Sequence, residues 1–146
     1  MSVNAEDVMT VINAMIGRIQ SFDASAVWPE CERVMLVGVG DNFLAMQASD
    51  GSPWAPRKDA KTHPLLKLTS AMYGAATSPG AAGHISAASA DQLKFGIDVG
   101  AIKYARAQNK GYLPRNLPPR EYMYVSDQVL SQVQLILWNE AKTQLF

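Results

Sequence analysis

The chain has a single cysteine, Cys31, among 146 residues. No disulfide can form within it, so a packed core must hold the fold, as suits a reducing compartment. Cysteine is often buried, and Cys31 reads as a small core hydrophobe and not as a nucleophile. Histidine is scarce too. His63 and His84 are the only two, and neither has a Cys, His or acidic neighbour at metal-ligand spacing, which argues against a metal centre or a His-activated nucleophile. No run of about 18 apolar residues occurs, so no membrane span is expected. The opening "MSVNAEDVMT" is acidic where a signal peptide would be basic. The stretch "GVGDNF" at 38–43 lacks the third glycine and the preceding strand of a dinucleotide fingerprint, and no phosphate-cradling "GxxxxGK[ST]" follows anywhere. Glu30 and Glu32 read as a solvated helix face and not as a general acid–base pair. The expectation is a protein with no catalytic residues, no cofactor and no metal.

What is present is a globular composition, 48% hydrophobic, at a length that suits one domain over residues 1–146. Net charge is zero, but the charges are segregated. Residues 1–51 hold seven acids and two bases, giving −5. Residues 52–67 set Arg57, Lys58, Lys61 and Lys67 against Asp59, giving +3. Residues 99–120 hold Lys103, Arg106, Lys110, Arg115 and Arg120 with no acid, giving +5. An acidic region and basic loops on one neutral chain suit head-to-tail self-association, in which one face of a subunit attracts a different face of its neighbour. An ordinary mixed surface is the alternative.

The hydrophobic pattern predicts an α+β fold, a small antiparallel sheet packed against two N-terminal helices and one C-terminal helix. Val8, Val11, Ile12, Met15 and Ile19 repeat at helical spacing over 5–20, with Asn4 as a candidate N-cap and Glu6 and Asp7 in the first turn. A longer helix is expected over 26–48, with Ser25 as cap, Pro29 in its first turn, and Met35, Val39, Phe43 and Met46 on one side. Gly38 and Gly40 inside it cost about 1 kcal/mol each against alanine, so they are expected to bend the helix or admit a close neighbour. "SDGSP" ends it. Residues 65–77 start helically and are expected to turn into a strand. "HISAAS", "ADQ" and "LKFGIDV" read as a hairpin, with Leu93, Phe95, Ile97 and Val99 on the buried face. A short helix at 101–109 and a proline-rich irregular stretch precede a last helix over 126–145. Ser126 would cap it, and Val129, Val133, Ile136, Leu137, Glu140 and Ala141 follow the helical period, with Leu130 widening the stripe.

Two long segments, around 50–67 and 103–122, combine prolines, bases and aromatics. Trp54, Tyr112 and Tyr122 are the kind of large, low-entropy side chains that anchor interfaces, and the prolines beside them stiffen the loops. Trp54 could pack on its own domain or on a neighbour. Arg120 can pair bidentately with a carboxylate of either. Arg57, Lys58, Lys61, Tyr104, Arg106, Tyr112 and Arg115 interleave bases with aromatics, a pattern that also serves nucleic acid.

Four stretches, taken in order, resemble the bacteriophage virion morphogenesis, or tail-completion, proteins, which belong with head–tail joining and neck proteins. "DGSPWAP" carries Asp50, Gly51, Trp54 and Pro56. "LLKLTSAMYGA" keeps Leu68 and Thr69, with Ser70 where that family has glycine and Met72 for its leucine. "YARAQNKG" supplies Tyr104, Ala105, Gln108 and Gly111, with Ala107 in place of a histidine. "PPREYMYVSDQ" supplies Pro118, Pro119, Arg120 and Tyr122. The resemblance spans roughly residues 30–145. It implies a non-enzymatic structural protein of the virion head–tail junction, made in the host cytoplasm. Such a protein assembles as a homo-oligomeric ring of six copies, or twelve nearer the portal. Its neighbours would be portal or connector, neck and tail proteins, with DNA passing through the lumen. Trp54, Arg57, Lys58, Lys61, Tyr104, Arg106, Tyr112, Arg115, Arg120 and Tyr122 would carry assembly. A DNA-binding accessory protein of packaging or assembly is the competing reading.

Overall fold

In helix α1, Ala5–Gln20, every described side chain, from Met9 to Gln20, is exposed. The computed structural model describes residues 5–59, 62, 65, 66 and 70–146, so Asn4 as a cap, His63, Lys61, Lys67, Leu68 and Thr69 lie outside it. A corner at 21–27 leads into α2, Trp28–Ala45. Pro29 sits in its first turn as expected, but Val27, not Ser25, occupies the cap position and supplies no side-chain bond. The Ser25 amide donates to Asp23 Oδ1 instead, at 2.8 Å. Met46 closes α2 in the left-handed conformation, φ 51°, and a tight turn through Gly51 reverses the chain.

The segment expected to become a strand is the short helix α3, Ala71–Thr77, entered through Ser70 at φ 58°. The hairpin forms as read: β1, His84–Ala88, pairs antiparallel with β2, Leu93–Ile97, in the register His84 to Ile97 through Ala88 to Leu93. Val99 lies past the end of β2 and is exposed, so the alternation stops at Ile97. Next come α4, Ala105–Lys110, a 3₁₀ turn at Leu113–Arg115, and α5, Asp127–Leu145. The Ser126 hydroxyl caps α5 by accepting from the Val129 amide at 3.3 Å.

This is an α+β fold, with five α-helices and one two-stranded antiparallel sheet among the described residues. The sheet is backed by α2 and α3, and α5 lies along α2. Two buried clusters share α2. Cys31 and Val34 meet Val133, with Trp28, Met35, Leu93, Ile136 and Leu137 around them. Farther along, Val39 and Phe43 meet Trp54, Met72, Ala75, Tyr122 and Ile102. Phe43 takes Trp54 and Tyr73 edge-on, at ring-centre distances of 5.9 and 5.1 Å, the arrangement its ring quadrupole favours. The far end of α1 meets α5: Arg18 donates to the Leu145 carbonyl at 2.8 Å, and just beyond the helix the Gln144 amide brackets Asp23. The apolar stripe read for α1 therefore exists, yet it faces outward, with Met9, Val11, Ile12, Met15, Ile16 and Ile19 between 38% and 59% exposed.

Candidate functional site: a cationic cavity between two loops

The two basic segments, distant in sequence, meet in space. Trp54 starts the junction. It is buried, its amide donates to Met46 O at 2.8 Å and its indole to Glu121 O at 3.0 Å. Arg120 then reaches back across the same seam: Nε donates to Ala55 O at 3.1 Å and Nη2 to Pro56 O at 3.3 Å, while its amide donates to Gln108 O. Asn109 Oδ1 accepts the amides of Tyr122 and Met123, which ties α4 to the same strand of chain. Beyond it, the chain turns tightly between Tyr112 and Leu117, bonded to each other in both directions. Gly111 makes this turn possible. At φ 80°, a Cβ there would stand 3.0 Å from both Leu117 O and Pro119 N, a conformation and a closeness that favour glycine. Lys58 Nζ approaches Asn116 O at 3.4 Å and closes the gap between the loops.

Between them is a cavity of about 530 Å³, within the size range of ligand sites. Among the described residues, Arg57, Lys58, Arg115 and Arg120 line it as cations and Asp59 as an acid. Arg57 and Asp59 pair at 3.4 Å. Leu65, Leu66, Met72, Leu117 and Pro118 give it an apolar lining, with Tyr104 and Gln108 contributed by α4. Two features mark it as incompletely satisfied. Arg120 is 7% exposed and no carboxylate reaches it among the described residues. Its burial, and then the neighbouring Arg57, lower its pKa. Among the described residues, Gln108 Oε1 is buried without a hydrogen-bond partner, a deficit of about 1–3 kcal/mol unless something supplies a donor.

Of the ten residues nominated from sequence, Arg57, Lys58, Tyr104, Arg115 and Arg120 line this cavity. Arg106 and Tyr112 lie on the surface outside it, and Lys61 falls outside the described residues. Trp54 packs on its own domain, one of the two alternatives, and Tyr122 is buried as well. Tyr122 is 1% exposed, with its hydroxyl donating to Ala105 O at 2.9 Å. Both rings anchor their own loops because backbone carbonyls of the same chain satisfy their polar ends. Arg120, expected on a carboxylate, holds carbonyls instead.

Glu32 is a second correction. Far from being a solvated helix face, it accepts from Ser86 Oγ at 2.8 Å and meets His84 Nε2 at 2.9 Å, with the His84 side chain 2% exposed. A carbonyl only accepts, so His84 Nδ1 donates to Ala75 O at 2.8 Å. Ser86 points at the acid and not at the imidazole, so the trio lacks the serine–histidine contact of a nucleophilic triad; it pins α2 to β1 and α3. The signal was present in part, since His84 and Ser86 share one face of β1 by strand alternation. Glu30 does remain on the surface, paired with Arg33 at 2.7 Å. Asn42 was also missed. It is buried, and its amide donates to Tyr122 O and Tyr124 O at 2.9 and 3.0 Å.

Among the described residues, no group of three or more His, Cys, Asp or Glu could hold a metal ion. No helix among them is long and apolar enough to cross a membrane. Burial pushes the Cys31 thiol up and away from reactive thiolate. No family model, curated protein or solved structure matches the chain.

Proposed function

We propose that this chain is a structural protein of the phage head–tail junction, of the tail-completion, neck or head–tail joining kind, that works by forming a ring and catalyses nothing. The observation that carries this reading is the pairing of two unsatisfied surfaces at opposite ends of the molecule. Helix α1 presents an uncovered apolar stripe beside the C-terminal end of α5. The cationic cavity lies at the other end, against the Phe43–Tyr122 cluster where α2 finishes and α5 begins. Monomers seldom leave so many large apolar residues contiguous in water. Different surfaces at opposite ends make heterologous contacts, and those close into rings when the rotation allows.

Two details support the family resemblance. Three of its four stretches meet at the seam held by Trp54, Arg120 and Tyr122, and the second reaches the same core through Met72. Ser70, which stands where that family has glycine, adopts the left-handed backbone that glycine takes at least cost. The ring would have six copies, or twelve nearer a portal, and would bind portal or connector, neck and tail proteins. The test is mass spectrometry of the purified particle followed by electron microscopy of its head–tail junction. A ring of this chain with an open centre is the expected result. Its absence from the particle, or turnover of a substrate by the pure protein, would refute the reading.

One observation favours the alternative of a DNA-binding accessory protein. Lys103, Arg106, Lys110 and Arg115 are exposed around half-exposed Tyr104 and Tyr112. That reading requires DNA affinity that falls steeply with salt, with a log–log slope set by the number of phosphates neutralised. A flat salt dependence would dismiss it.

A further inference from the structure

We propose that the cationic cavity receives helix α1 of a second copy, with the acidic opening of the helix at the cations and its apolar stripe over the aliphatic lining. This names the contact in the ring reading and rests on it.

Shape and charge together choose this occupant. The cavity is half open: Arg120 is buried at its floor, and Lys58 and Arg115 are exposed at its rim. A lining of Leu65, Leu66, Met72, Leu117 and Pro118 asks for aliphatic groups next to the anion, not for anion alone. The sequence of α1 has that composition. It opens "AEDVMTVI", two adjacent negative charges followed by aliphatic residues. The free amides of a helix's first turn also offer donors of the kind Gln108 Oε1 lacks. The helix dipole places about half a positive charge at that end, which two acids outweigh fourfold.

Other seats for α1 fit less well. A groove beside α2 has exposed Val37 and Leu44, but its charges are Asp41 and an Arg33 already paired with Glu30, so it repels an acidic arm. Pairing α1 with α1 brings like charges together and, being isologous, stops at a dimer.

The test is a charge swap in the full-length chain, read by sedimentation velocity over a concentration series at low and at physiological salt. Lys58→Glu with Arg115→Glu alters two rim cations and leaves the Arg120 seam intact. Glu6→Lys with Asp7→Lys reverses the arm. Either pair should weaken self-association by at least about tenfold, and the quadruple variant should restore it. Circular dichroism melts establish that each variant is folded. Rescue is the decisive result, because a merely structural role for these residues would not produce it. Self-association indifferent to the reversals overturns the inference and leaves the ring reading standing. So does a chain that stays monomeric throughout. Loss of binding to a labelled DNA duplex in the Lys58/Arg115 variant, with self-association unchanged, assigns the cavity to nucleic acid and also overturns it. If the swap rescues association but the particle lacks the chain, the ring reading fails and the contact remains.

Discussion

Gly38 and Gly40, two residues apart within α2, make opposite predictions from the same substitution. A Cβ built on Gly38 would stand 2.6 Å from Val129 Cγ2, with Cγ1 and Cβ of the same residue at 3.5 and 3.6 Å. Carbon atoms in favourable contact sit at about 3.5–4.0 Å. Val129 is β-branched and held in one preferred rotamer within α5, so relief requires the helices to separate. Overpacking of this kind costs about 1–3 kcal/mol, while removing a glycine from a helix interior returns about 1 kcal/mol. Gly38→Ala should therefore range from neutral to about 2 kcal/mol destabilising. At Gly40 the nearest atoms to a new Cβ are Tyr73 Oη at 3.8 Å and Thr77 Cγ2 at 3.9 Å, which is ordinary contact. Gly40→Ala keeps the propensity gain of about 1 kcal/mol. The two variants should differ by roughly 1–3 kcal/mol. With an unfolding entropy of about 2.1 cal/mol/K per residue, a chain of 146 residues moves its Tm by about 3 °C per kcal/mol. Side-by-side melts should then place Gly38→Ala about 3–9 °C below Gly40→Ala. Adding Val129→Ala to Gly38→Ala should recover the strain as a coupling of at least about 1 kcal/mol. A Gly38→Ala protein that melts at or above Gly40→Ala, or a cycle without coupling, would show that α2 and α5 do not approach through that glycine.

Asn42→Leu leaves one buried and one partly buried carbonyl, those of Tyr122 and Tyr124, without their donor; it should lose about 1–3 kcal/mol, read as a lower urea midpoint at unchanged m-value. Burial raises the Tyr122 phenol to about 12, whereas an unfolded tyrosine titrates near 10. The neutral phenol is therefore the form the fold favours: its contribution is complete below about pH 10 and is lost as pH rises toward about 12. Tyr122→Phe should flatten that alkaline decline in stability while costing about 1 kcal/mol at neutral pH, where only the bond to Ala105 O is removed. Ser70→Gly should raise the melting temperature slightly, since the left-handed conformation at φ 58° costs a non-glycine residue about 1–2 kcal/mol and glycine's added chain entropy takes back about 0.5–1 kcal/mol.

Where local chemistry decides, the fold was legible. The hairpin follows from period-two alternation ending at Ile97, and α5 from a serine cap followed by a 3.6-residue stripe. Both glycines of α2 were visible as anomalies, although only the position of Val129 tells which of them admits a neighbour. The errors share a cause. Val99 continues the alternation but lies beyond the last pair of the ladder. The segment after Ser70 has strand-compatible residues, yet Met72, Ala75 and Ala76 reach the core only on a helix. Tertiary packing overrides a weak local preference in each case.

The site was legible as two compositions and not as one place. Each loop announced its bases, but their convergence depends on bonds across long separations, Arg120 to Ala55 and Lys58 to Asn116. Those in turn depend on a turn that Gly111 alone permits cheaply. The aromatics show the limit most clearly. Trp54, Tyr112 and Tyr122 look alike in sequence: each lies in a stiff, proline-flanked, basic stretch. What separates them is whether the polar end of the ring finds a carbonyl in its own chain. The indole of Trp54 finds Glu121 O and the hydroxyl of Tyr122 finds Ala105 O, and both rings go inward. Tyr112 is 47% exposed, left at the surface beside the cavity. An interface anchor is thus an aromatic that folding has left half exposed. By that criterion the apolar residues of α1 are the clearest surface feature of the chain, even though its helical period gave every appearance of an ordinary core-facing stripe.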